Sequence, residues 1–192
     1  MTPTIHITDD HDADALLSTN PLALLIGMLL DQQVPMETAF TGPAKLLERI
    51  GTLDAKAIAD YDADELEAVF RITPSIHRYP GSMAGRAQAL CAAIVENWGG
   101  DASAIWTAGE PDGAEILKRL KALPGFGEQK AKIFLALLGK QYGVGPEGWR
   151  EAAGAYGDAD ARRSIADVTD ETSLDEVRTT KKAMKAAGKK KD

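Results

Sequence analysis

The stretch LPGFGEQKAKIFLALLG, Leu123 to Gly139, sets two glycines and a proline between apolar-periodic flanks, with lysines close behind. This pattern predicts a tight corner between two helices. Leu123-Pro124 ends the first helix, and Gly125 and Gly127 permit backbone angles closed to other residues. The first-turn N–H groups of the second helix then point outward beside its positive dipole end, an arrangement that suits an anion. Lys130 and Lys132 add charge in the next turn. From Lys118 to Lys140 six basic residues face Glu128 alone. A DNA phosphate fits this chemistry, and such a contact reads no sequence. A plain corner in any helical protein is the other reading of the same residues.

The elements that must position this corner read as helix after helix. Asn20-Pro21 is an N-cap and first-turn pair opening an all-apolar buried helix to about Gln32. A second helix runs from Pro35 to Ile50 and stops at Gly51. Residues 53–70 give two short helices around Asp60–Asp62. Pro74 and Pro80 bracket an irregular loop. Met83, Ala87, Leu90, Cys91, Ile94, Val95 and Trp98 then form a stripe of period 3.6, ended at Gly99. Helices over 112–122 and 127–139 flank the corner, a glycine-rich loop with one short helix covers 143–160, and a last helix runs from about Ser173 toward Ala187. No strand pattern and no internal repeat appear.

The 192 residues are 44% hydrophobic and 6% aromatic, enough for a real core and weighted toward helices. The single cysteine, Cys91, excludes an intramolecular disulfide and a four-cysteine iron–sulfur site; on the apolar stripe it reads as core. The acidic start MTPTIHITDDHDAD lacks a signal-peptide pattern, and the ten-residue run PLALLIGMLL is too short to span a bilayer. A soluble cytoplasmic protein without a membrane partner is the expectation. The formal net charge is -7, but the last fourteen residues hold six lysines and one acid, which leaves 16 basic against 28 acidic residues elsewhere. Local charge decides whether a phosphate can approach.

LKALPGFGEQKAKIFLALLG resembles the helix-hairpin-helix of the HhH-GPD DNA glycosylase superfamily, the endonuclease III, adenine glycosylase and alkylpurine glycosylase group. NPLALLIGMLLDQQVPMETAF resembles the superfamily's early buried helix, which ends in a Gln-containing motif that probes duplex DNA. GSMAGRAQALCAAIVENWGG resembles the helix preceding the hairpin. The three matches come in family order over roughly residues 20–150. The resemblance implies an all-α, two-lobed fold: a central lobe over 20–135 with the hairpin at 112–139, a second lobe from 1–19 plus 136–180, and a DNA cleft between them. Residues 181–192 are expected as a basic, disordered tail, either simply solvated or a nonspecific DNA tether.

The resemblance also assigns roles. The lyase members carry their Schiff-base lysine where this chain has Gln129, whose amide cannot form an imine, so a monofunctional, water-using enzyme is implied. Lys130 lies one residue on, rotated about 100° around the helix. The family's loop aspartate, counted from the hairpin without gaps, falls on Glu147, the expected catalytic carboxylate, with Asp158 and Asp160 as gapped alternatives. Asp31 is the second catalytic candidate, at the end of the early helix. Gln32 or Gln33 would fill the gap left by a flipped base. Gly125, Gly127, Lys130 and Lys132 would bind DNA. His77, Arg78 and Tyr79, with Trp149 beside Glu147, are candidates for a base pocket or strand contact; an ordinary loop and core packing are the alternatives. The carbonyls of Lys121, Leu123 and Phe126 would hold a monovalent cation; no other cofactor and no iron–sulfur cluster is implied.

The implied function is hydrolysis of the N-glycosidic bond of a damaged or mispaired base by a monomer acting on double-stranded DNA, cytoplasmic and associated with the nucleoid when bound. Two rivals fit the same residues: a non-catalytic lesion sensor or scaffold on this fold, and a helical interaction protein whose hairpin touches no DNA.

Overall fold

Ten apolar residues set the centre of the molecule. Helix α2, Pro21–Leu30, is buried at every residue after Pro21, and the Asn20 side chain caps it by accepting from Ala23 N. The computed structural model describes residues 4–189, in which eleven α-helices and two 3-10 turns follow one another; no strand occurs among the described residues. Helix α3, Met36–Ile50, crosses α2 at close range because Gly27 and Gly42 lie at the crossing. A Cβ on Gly27 would come within 2.5 Å of Phe40, and one on Gly42 within 2.5 Å of Leu30. Helix α1, His11–Thr19, which the periodicity does not show, packs on both. Asp10 caps it, and Ile5 and Ile7 ahead of it are buried.

Helices α4, Ala55–Ala59, and α5, Ala63–Arg71, lie on α6, Pro80–Trp98. Gln88 of α6 donates its amide to the carbonyls of Ile58, Ala59 and Tyr61, which closes the exposed end of α4. A short α7, Ala104–Thr107, leads into the hairpin of α8, Gly113–Lys121, and α9, Glu128–Gln141. Helix α10, Trp149–Ala153, and the 3-10 turns Gly154–Gly157 and Ile165–Asp167 pack against α9. Lys140 of α9 is held by the buried carboxylate of Asp167, which also accepts from Arg163 N and Ser164 N.

One apolar cluster runs through the whole body from Ile5 to Val177. The N-terminal segment touches both ends of it: α1 seats on α2 and α3, while residues 6–9 line a cavity of about 240 Å³ with Asp170, Glu171 and Leu174. The last helix, α11, spans Glu171–Lys189. The expectation of a disordered tail from residue 181 is therefore corrected as far as Lys189; residues 190–192 lie outside the described residues. Ala183, Ala186 and Ala187 are strong helix formers, lysines suit a helix C-terminus, and Leu174, Val177 and an Arg178–Glu37 ion pair anchor the start.

Candidate functional site

A helix that ends inside a protein leaves carbonyls needing donors. The end of α2 is supplied by side chains from three directions. Lys130 Nζ donates to the carbonyls of Met28, Leu29 and Asp31 at 2.7, 3.2 and 3.4 Å. His77, buried in the proline-bracketed loop, reaches the carbonyls of Leu30 and Gln32 through Nε2 at 3.1 and 3.0 Å. Its Nδ1 accepts from Tyr79 N, so Nε2 carries the proton and donates. Gln32 folds back to give its amide N–H to Leu29 O, and its amide oxygen accepts from Arg86 of α6 at 2.9 Å.

The turn held in this way carries Asp31 and Gln33. Asp31 is partly buried, and burial pushes its carboxyl above the usual range against the pull of Lys181 and Lys130. Burial likewise brings Lys130 down to about 8, with Asp31 opposing and Arg86 and Lys181 adding to the fall. Gln33 is exposed and left-handed, with φ 58°. A non-glycine residue there carries strain of about 1–3 kcal/mol and stays only because the surrounding bonds fix it. The arrangement offers a carboxylate, drawn on by Lys181 and Lys130, beside an exposed amide, with Arg86 bound to the intervening Gln32.

The hairpin corner lies against this turn. Gly125 has φ 82°, and a Cβ on it would meet Leu29 Cδ1 at 2.4 Å. Gly127 is different: its φ of -75° is open to any residue, and a Cβ there would meet nothing within 4 Å. Of the two glycines expected to need special angles, only Gly125 does. Helix α9 begins with no side-chain cap, and Gly127, Glu128 and Gln129 at its start are exposed. The Leu123 carbonyl closes the corner by accepting from Phe126 N at 3.1 Å, which leaves it a second lone pair.

Several expected site residues go elsewhere. Lys130 is no free phosphate ligand, because its ammonium is spent on three carbonyls. His77 is a buried cap, whereas Arg78 and Tyr79 are exposed and stacked at 5.5 Å. Trp149 packs between α8 and α9, filling the space that Gly113 and Gly139 leave. Lys132 pairs with Glu128 on the outside of α9. Glu147 is exposed, and its carbonyl accepts from Gly113 N at the start of α8. The corner is at the other end of that nine-residue helix, about 14 Å along its axis. The ungapped count therefore puts Glu147 away from the Asp31 turn. Asp158 and Asp160 are exposed on the loop before α11, and Gln129 donates to the hydroxyl of Tyr156, two residues ahead of Asp158.

Arg86, Lys181 and Tyr156 were not singled out from the sequence. Lys130 does carry a signal for this cap in the sequence. A lysine in the first turn of a helix opposes the dipole, so its presence points to acceptors outside its own helix. The family model described as HhH-GPD superfamily base excision DNA repair protein matches residues 26–190. Comparison with curated proteins finds no match.

Proposed function

Since the chain belongs to the HhH-GPD superfamily of base excision DNA repair proteins, we propose that it is a monofunctional DNA glycosylase. It hydrolyses the N-glycosidic bond of a damaged or mispaired base turned out of the duplex. Most of the superfamily are DNA glycosylases. The observation that carries the proposal is the Asp31–Gln33 turn, a partly desolvated carboxylate beside a probe held in a left-handed conformation. Gln33 enters the stack where the base has left. The C1′–N bond breaks with its electron pair going to the base, and the sugar becomes cationic. Asp31 stabilises that charge more in the transition state than in the ground state. Water then gives its oxygen to C1′ and one proton to the base, and the products are free base and an intact abasic site.

Gln129 has no amine for an imine, and Lys130 Nζ is held by carbonyls. The phosphates beside the lesion meet the uncapped N–H groups of α9. A monovalent cation on the carbonyls of Lys121, Leu123 and Phe126 would add its charge there. The protein acts as a monomer.

The test is single-turnover base release from duplexes carrying uracil, hypoxanthine, 8-oxoguanine, alkylated purines or mismatches. At least one substrate should release its base, Asp31→Asn should lose at least ~100-fold in rate with duplex affinity nearly kept, and borohydride should trap no adduct. Its acid limb should lie above the ordinary carboxylate range and vanish in Asp31→Asn. Duplex binding without release from any lesion would establish the non-catalytic sensor instead.

A further inference from the structure

The C-terminal helix carries its charge in one stripe. Arg178 is followed by Lys181, Lys182, Lys185 and Lys189. At 3.6 residues per turn these five side chains fall within about 100° of one another around α11. Leu174 and Val177, which anchor the start of the helix, lie on or next to the same face. The stripe therefore looks back across the body and not away from it. Its first members meet the candidate site: Arg178 pairs with Glu37 at the start of α3, and Lys181 acts on the Asp31 carboxyl. From Lys181 onward every described residue is exposed, and no acid occurs between Val177 and Lys189. That run stands out on a chain with 28 acidic against 16 basic residues before its last fourteen positions.

We propose that this stripe is a second contact for double-stranded DNA, continuous with the Asp31–Gln33 turn and lying along the phosphates beside the flipped nucleotide. It rests on the DNA-binding half of the function proposed above. From Lys181 to Lys189 the helix advances about 12 Å, and at 3.4 Å per phosphate along one strand it spans roughly three successive phosphates. Side-chain ammonium groups on such a stripe read charge and not bases. The uncharged residues in the same run, Ala183, Met184, Ala186, Ala187 and Gly188, offer too little apolar bulk to seat a helix in a lipid interface.

The test uses the full chain with Lys182→Gln, Lys185→Gln and Lys189→Gln combined, which spares Arg178 and Lys181 and keeps good helix formers. Anisotropy with an undamaged 30-bp duplex (~30 bp, long enough to pass the stripe) is followed over a salt series. The slope of log K against log[salt] should become shallower by about 2–3, from roughly 0.9 per phosphate contact. Affinity should fall about 10- to 100-fold, while helix content by circular dichroism and single-turnover release at saturating protein stay as in wild type. An unchanged slope and affinity in a variant whose parent binds duplex would overturn the stripe. So would wild-type binding to phosphatidylserine vesicles as tight as to duplex and lost in the variant, which would make α11 a membrane-surface helix. Wild-type binding to no duplex removes the stripe together with the DNA reading. Duplex binding that depends on the stripe but releases no base leaves this inference standing and removes only the glycosylase.

Discussion

Two helix ends meet at the candidate site, and they are finished in opposite ways. The C-terminus of α2 is saturated, its carbonyls taken by Lys130, His77 and Gln32. The N-terminus of α9, one corner away, has no side-chain cap and opens onto empty space at Gly127. Buried carbonyls left without donors cost about 1–3 kcal/mol each, so the first end had to be closed from within. Exposed N–H groups can be satisfied by water until an anion replaces it. The closed end fixes groups in place, and the open end leaves its first N–H groups without a side-chain partner.

The comparison can be broken most forcefully at the closed end. Lys130→Met removes three charge-assisted bonds and should lower stability by about 2–3 kcal/mol in denaturant titrations. It should also abolish the fluorescence change of a 2-aminopurine placed beside the lesion, because Gln33 loses its support. Stability kept, with the probe signal intact, would show that the α2 end does not need its lysine.

Next in size is the contrast between the two corner glycines. Gly125→Ala meets both a left-handed backbone and Leu29, and should lose about 1–3 kcal/mol. Gly127→Ala should stay within about 0.5 kcal/mol of wild type. Equal losses would mean that both glycines serve the fold.

A smaller effect concerns pH. Burial brings Lys130 from its usual 10.5 to about 8, so on raising the pH the folded chain releases that proton before the unfolded chain does. Between about pH 8 and 10.5 the unfolded state binds more protons, and the stability this group contributes rises with pH. Wild type should gain on Lys130→Met across that window, and a difference that narrows instead would show that the ammonium is the form the α2 end prefers. The smallest effect belongs to Glu147. Glu147→Gln should leave stability within about 0.5 kcal/mol and base release unchanged, and a large loss of rate would return the catalytic role to the loop.

Much of the helical order was legible because it rests on local signals. Asn20-Pro21 starts α2, Gly51 and Gly99 stop α3 and α6 in left-handed conformations, and the stripe from Met83 to Trp98 is one continuous helix face. Helix α1 was not legible: it is short and weakly amphipathic, and its start depends on the Asp10 cap. At the site, the missing amine at Gln129 could be read from type and position alone. The lock on α2 could not, because Lys130 lies 102 residues from Met28, His77 lies 47 from Leu30, and Arg86 lies 54 from Gln32. Counting along the chain could not show where Glu147 lies for a related reason, since its loop is tied to the far end of α8 through Gly113 N.

The seat of Gly125 on Leu29 bears on how such a protein searches a genome. The corner approaches the α2 end closely at Gly125 and Leu29 on one side and is tied to it by Lys130 on the other. For a glycosylase acting as proposed, gripping the backbone at the corner and presenting Gln33 to the stack would then be a single event. On the function proposed above, every encounter with intact duplex would also test a base pair, so sliding would slow at each position and a weakened pair would be detected on arrival.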